Sequence, residues 1–307
     1  MLARQPGLPA APTLPAAHPF EHMIATAAWG IPGVAVLANG GLAVDPAALD
    51  PEAPMGDAWF EGAPFVTLRT FLRAVQHRRQ PIKLQLTGPV TLGLALRRAG
   101  VADELAFRVA GAAVRSRARA LLALAAVEAP AAQPVVFLDE PGLVGGLASG
   151  FPLAPDVMID LISGALSVLE PHAVTGLHCC GSADWRLALQ AGPQVLSLPV
   201  GAGIETSAGA LSSFIERGGW VAWGAVPTGQ PRGESSARLW RGLSGHWCEL
   251  VQSGCDPVRL RTQALITPAC GLAHHGLDQA DQVLDLTEQV AARLQDQVVG
   301  IRLSVGA

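Results

Sequence analysis

The chain contains no tyrosine, an absence without a functional reading of its own, but its other scarcities each exclude something. Only 15% of the 307 residues are charged, the net charge is −4, and no basic stripe stands out, so nucleic acid is not an expected partner. Long apolar runs are missing too. The longest uncharged stretch, 187–204, contains Gly192, Pro193, Pro199, Gly201 and Gly203, which makes it a poor spanning helix, and no membrane association is expected. Residues 1–17 form an irregular arm rich in Pro and Ala, without the continuous apolar segment of a signal peptide. The expectation is a soluble, cytoplasmic protein. Five cysteines in a chain of this size, an odd number, do not make a disulfide framework. No Gly-rich nucleotide loop follows any strand, since Gly145-Gly146 and Gly218-Gly219 lack the required spacing.

What is present is enough apolar sequence, half of all residues, to bury a large core. Short β-branched or apolar runs alternate with longer amphipathic stretches. Strands are predicted at Gly33–Leu37, Ile82–Leu86, Pro134–Asp139, Val174–Cys179, Val195–Leu198, Gly219–Gly224 and Arg261–Thr267. Helices are predicted between them, near 19–28, 90–99, 103–127, 154–169, 182–190, 206–217, 234–253 and 277–295. Strands that regularly alternate with helices point to a parallel α/β fold.

Polar residues gather at the C-terminal ends of these strands: Thr87, Asp139, His178, Cys180, Trp223 and Cys270. That placement favours a single (β/α)8 barrel over residues 1–307, because such barrels carry their sites at that end. The eighth strand is not obvious. The expectation is that the run 298–305 lies parallel beside Arg261–Thr267 and closes the barrel in place of a missing first strand.

His178 and Cys180 are two residues apart, so an extended strand sends both side chains from one face. Cys270 follows its own apolar run, Ala264-Leu265-Ile266. An imidazole and two thiolates suit zinc and leave one position for a substrate or water. Cys179 faces the other way and reads as packing, while Cys248 and Cys255 read as structural or surface thiols. His274 and His275 lie in a Gly-bounded loop that reads as solvated. Asp139 and Glu140 are adjacent and point to opposite faces, one towards the barrel mouth, the other free to cap a loop or helix. Trp223 and Trp185 suit either an aromatic wall for a methyl donor or plain packing. Thr87 and Thr91 flank a Gly-Pro turn and suit capping, with Thr87 also a candidate substrate contact.

Five segments occur in order: Lys83-Leu-Gln-Leu-Thr-Gly-Pro-Val-Thr91, Phe137-Leu-Asp-Glu-Pro141, His178-Cys-Cys-Gly181, Trp223-Gly-Ala-Val-Pro-Thr228 and Thr267-Pro-Ala-Cys-Gly-Leu272. Together they resemble the catalytic barrel of cobalamin-independent methionine synthase, most of all its short single-barrel relatives. These belong to the superfamily that also holds uroporphyrinogen decarboxylase and coenzyme M methyltransferases. The resemblance implies zinc on His178, Cys180 and Cys270, and Asp139 on the amino group of an amino-acid thiol such as homocysteine. It also implies transfer of a methyl group to that sulfur from a methylated corrinoid protein or, second, a methyl-folate.

Two departures accompany the resemblance. The family's opening Gly-Ser-Leu-Pro-like strand has no counterpart here, and Pro199 stands where an acidic zinc ligand is usual. Glu205 is nearby and is either a fourth ligand or a carboxylate favoured at a helix N-terminus. Two rival functions follow. One is methyl transfer to another thiol such as coenzyme M; the other is a non-catalytic, zinc-binding accessory protein that handles corrinoid.

Overall fold

The computed structural model describes residues 7–53, 55, 59–146, 148–229 and 234–305, which fall into two compact units, 1–176 and 177–307. The first unit opens with α1 (Met23–Ala28), then an antiparallel pair, β1 (Val34–Val36) and β2 (Leu42–Val44), with Val34 opposite Val44. It continues through α2 (Val66–Ala74), β3 (Pro81–Thr87), α3 (Pro89–Arg98), α4 (Asp103–Glu128), β4 (Gln133–Asp139), α5 (Pro155–Leu169) and the start of β5 (Val174–His178). β3 and β4 pair in parallel from Pro81↔Gln133 to Thr87↔Asp139. The period of two is plain on β3: Ile82, Leu84 and Leu86 are buried, whereas Pro81, Lys83 and Gln85 on the opposite face are only half-buried.

A buried arginine ties the first helix down. The Arg117 guanidinium donates to the carbonyls of Thr26 and Trp29 and stacks 4.4 Å over the Trp59 ring. These carbonyls lie in and just beyond α1, where the helix leaves acceptors without partners of its own. Burial pulls the pKa of Arg117 down to about 9, and the two carbonyls satisfy the donors that burial removes from water.

The second unit holds the end of β5, then α6 (Trp185–Gln190), β6 (Val195–Pro199), α7 (Ala208–Glu216) and β7 (Trp220–Val226). It ends with α8 (Ser236–Gln252), the short α9 (Arg259–Thr262), β8 (Ala264–Pro268) and α10 (Leu277–Val305). β6 pairs with β7, and β7 with β8, all in parallel. Gly224 is required where β7 meets the turn after β8, since a Cβ there would stand 2.7 Å from the Cα of Ala269.

The α/β class and the six parallel strands β3 to β8 agree with the periodicity of the sequence. Eight regular parallel strands are not present among the described residues. The strand expected at Gly33–Leu37 exists as β1, but its partner is β2 in a separate two-stranded sheet. The run 298–305 is helical, so it closes no barrel. The apolar positions Leu286, Val290, Leu294 and Val298 are all buried and recur every four residues, and this stripe carries the β-branched tail onward as helix.

The N-terminal arm, expected to be irregular, supplies a short parallel bridge on the free edge of β3. Lys83 N donates to Pro9 O at 2.9 Å, and Ala11 N donates to Lys83 O at 2.8 Å. Proline is tolerated because this edge asks Pro9 for its carbonyl and not for an N–H. Among the described residues no helix is long and apolar enough to cross a membrane.

Candidate functional site

In the second unit the ends of β5, β6 and β8 bring soft donors together. His178 is the last residue of β5, Cys180 lies two residues on, and Cys270 follows the end of β8. The Cys180 thiol hydrogen bonds to Cys270, and His178 hydrogen bonds to Cys270 as well. The pair therefore shares a proton unequally. Cys270 is drawn down to about 4, chiefly by the hydrogen bond from Cys180 and then by that from His178. Cys180 is pushed well up, first by its hydrogen bond to Cys270 and then by burial. Both residues remain open to solvent.

Ser197, the one polar residue of β6, lies 3.0 Å from His178 Nδ1 and so engages that ring nitrogen. This is the outer-shell support a ligating imidazole needs. The donor chemistry fits zinc: two sulfurs, one already favoured as thiolate, and an imidazole fixed through its second nitrogen. The contacts are pairwise. Among the described residues no group of three His, Cys, Asp or Glu side chains is arranged as a metal ion would require.

The other expected contributors to this region lie elsewhere. Glu205 occupies the first turn of a short 3-10 helix, Ile204–Ser207, and its carboxylate is 3.9 Å from His246 Nδ1. It is not among the groups acting on either thiol, and its position is that of the helix-terminal carboxylate weighed above. Trp223 is fully buried, its ring 5.5 Å from that of His246 and 6.2 Å from that of Trp247 on α8. The indole faces the helix side of β7, so it packs the core and offers no wall to a ligand at the strand ends. Trp185 is also buried and donates to Ala202 O at 2.8 Å. Cys179 is buried and Cys248 exposed, while the Cys255 thiol points at Ala208 O, 3.5 Å away. His275 Nδ1 is bonded to the Gln279 amide at 3.0 Å, and His274 is exposed.

In the first unit, Asp139 ends β4 and is half-buried, whereas Glu140 next to it is wholly enclosed. The Glu140 carboxylate accepts from Val90 N at 2.8 Å, Thr91 N at 2.7 Å and Thr91 Oγ1 at 2.5 Å, so it caps the N-terminus of α3. Burial raises its pKa to about 7, against the opposing pull of those three hydrogen bonds. The adjacent carboxylates have thus separated into one enclosed cap and one accessible group. Thr87 Oγ1 donates to Met23 O at 3.1 Å and is nearly buried, so it holds α1 to the end of β3.

Ser197 gains importance only from the structure, and could have been noticed as the single polar residue in an apolar strand.

No protein-family model matches the chain, and no curated protein does either. Solved structures do. A B12-independent methionine synthase from Shewanella sp. W3-18-1, in complex with selenomethionine, superposes with a TM-score of 0.51 at 18% identity, covering 78% of this chain and 69% of that one. A methyltransferase from Methanosarcina mazei gives a TM-score of 0.54 at 14% identity over 87% and 77%. A structure from Listeria monocytogenes, assigned as a vitamin-B12-independent methionine synthase, gives 0.55 at 13% identity over 87% and 76%. The chain has the fold of these proteins.

Proposed function

We propose that this chain is a zinc-dependent methyltransferase whose acceptor is the thiol of an amino acid, with homocysteine the favoured acceptor and methionine the product. The observation that carries this reading is that Cys180 and His178 each act on Cys270 beyond the ends of parallel strands. The fold shared with methionine synthases and a methyltransferase supports it.

A free thiol is mostly protonated near neutrality, with a pKa of about 8.5, and a protonated sulfur is a poor nucleophile towards a methyl group. Zinc on His178, Cys180 and Cys270 would supply the Lewis acidity that favours the thiolate of the acceptor. The chain's part is to hold and orient. Two thiolate donors keep the site electron-rich, so that the acceptor sulfur stays nucleophilic. Ser197 holds the plane of the His178 ring. Asp139 is proposed to pair with the ammonium of the acceptor. A sulfonate-bearing thiol such as coenzyme M would need a basic partner instead.

A methylated corrinoid protein is the proposed donor, with a methyl-folate second, by analogy with the family that the five segments resemble. The test is a methyl-transfer assay on zinc-loaded protein with homocysteine, run once with a methylated corrinoid protein and once with methyl-folate. Methionine is expected in the corrinoid reaction. No product from either donor, together with no calorimetric binding of homocysteine, would assign the chain to the accessory, corrinoid-handling role.

A further inference from the structure

β7 stands between Cys270 and the other two donors. In the order of the sheet, Cys270 leaves from β8 on one side of β7, while His178 and Cys180 belong to β5, two strands away on the other side. Neighbouring strands lie about 4.8 Å apart, so the turn after β8 has to lean back over β7 for the sulfurs to meet.

The residue it leans over is Gly224. In register, Gly224 is level with Thr267 on β8 and with Pro199 on β6. It shares one face of β7 with Ala222, and Ala222 is level with Ser197, which engages His178. Trp223 between them turns to α8, so Gly224 is on the face of the donors.

Two stretches of main chain close over this face. Ala269 N donates to Val226 O at 2.8 Å, and Val200 N donates to Gly224 O at 3.1 Å. A Cβ on Gly224 would stand 2.7 Å from Ala269 Cα, 3.1 Å from Pro199 Cα and 3.1 Å from Leu198 O. All three are backbone atoms, and no change of rotamer moves them. Gly224 is not one of the glycines with positive φ, so the demand for glycine comes from space and not from conformation.

Both sides of this crevice carry the site, since Ala269 precedes Cys270 and Leu198 follows Ser197. Carbon atoms pack at about 3.5–4.0 Å, so a methyl group at 224 has to drive one side back by roughly half an ångström or more. Ligand distances around zinc hold to about 0.2 Å. Retreat on the β8 side draws Cys270 away from Cys180; retreat on the β6 side draws Ser197 away from His178.

We propose that Gly224 is a positioning residue of the donor set: its missing side chain lets the turn after β8 cross β7 and deliver Cys270 to the zinc that His178 and Cys180 share. The inference deepens the zinc reading and rests on it.

The test measures zinc affinity by competition with a chromophoric chelator in wild type, Gly224→Ala and Gly219→Ala. Gly219 is the control. It lies just before β7, about 16 Å down the strand from Gly224, and a Cβ there would strike the Phe214 ring. Both substitutions should lower the melting temperature of the metal-free protein. Only Gly224→Ala should weaken zinc binding, by about 10–100-fold.

A measurement on wild type covers the outcome in which Gly224→Ala does not fold. Zinc should slow hydrogen exchange at the Ala269 amide about tenfold or more beyond its effect on the Trp220 amide, which bonds Gln194 O at the far end of β7. Unchanged zinc affinity in Gly224→Ala, equal weakening in Gly219→Ala, or equal slowing at Ala269 and Trp220 would each overturn the positioning role and leave the zinc reading standing. Wild type that takes up no zinc would overturn the zinc reading, and this inference with it.

Discussion

Cys180→Ser and Cys270→Ser proteins are expected to lose their metal outright. Wild-type protein purified with zinc present should hold about one equivalent per chain, and each variant should hold close to none. A serine hydroxyl stays protonated and is a hard donor, so it does not replace a thiolate on a borderline-soft cation. Cys180 and Cys270 are exposed, and neither packs a core. The metal-free variants should therefore melt within about 2 °C of the metal-free wild type, which separates lost ligation from lost folding. Cys248→Ser is the control, being exposed and outside the donor set, and it should keep its zinc. Full zinc content in either Cys180→Ser or Cys270→Ser would remove that residue from the ligand set.

The second large effect concerns Glu140, whose carboxylate accepts three hydrogen bonds at the start of α3. Glu140→Ala leaves two backbone N–H groups and a hydroxyl without their partner in a buried place. The expected cost is about 3 kcal/mol, read as a fall of roughly 5–10 °C in melting temperature. The sign of the pH dependence also follows. The unfolded carboxyl releases its proton near 4.5 and the folded one near about 7, so between these values the folded state holds more protons. Stability therefore declines as pH rises across that window and flattens above it. Glu140→Ala should lose this slope as well as the stability, which pairs of thermal melts at pH 5 and pH 8 would reveal. A slope of the same size in the variant would place its origin in another group.

The parts of the fold that were legible are those whose local pattern has one physical solution. β3 to β8 announced themselves as short apolar or alternating runs bounded by Gly, Pro and polar residues, and they formed on those runs, except that the start of the strand expected at Arg261–Thr267 is taken by α9 and β8 begins at Ala264. Pairing is a different matter, because a strand's partner is chosen by tertiary packing. Gly33–Leu37 read correctly as a strand and yet joined β2 rather than the parallel set. The N-terminal bridge was illegible because Pro9 and Ala11 pair with Lys83 through two backbone hydrogen bonds and no side-chain pattern. The tail 298–305 misled for the converse reason: its valines and isoleucine favour a strand, but burial at four-residue intervals prolongs α10.

The site shows the same division. His178, Cys180 and Cys270 were singled out by residue type and position at strand ends, and the structure brings Cys180 and His178 to Cys270 pairwise; the split between Asp139 and an enclosed Glu140 was legible. Trp223 was read as a strand-end residue, but β7 runs on to Val226, which leaves Trp223 in mid-strand with its indole among the residues of α8. Of the two readings of Glu205, the structure has the helix-terminal one, its 3-10 turn carrying the carboxylate towards His246.

The central claim is that Cys180, Cys270 and His178 gather a single zinc ion that accepts the sulfur of an incoming thiol. X-ray absorption at the zinc edge, recorded on the loaded protein before and after addition of homocysteine, examines that directly. The account predicts two sulfur neighbours and one imidazole before addition, with a third sulfur entering the shell afterwards. A shell without the two cysteine sulfurs, or one that homocysteine leaves unchanged, would contradict it.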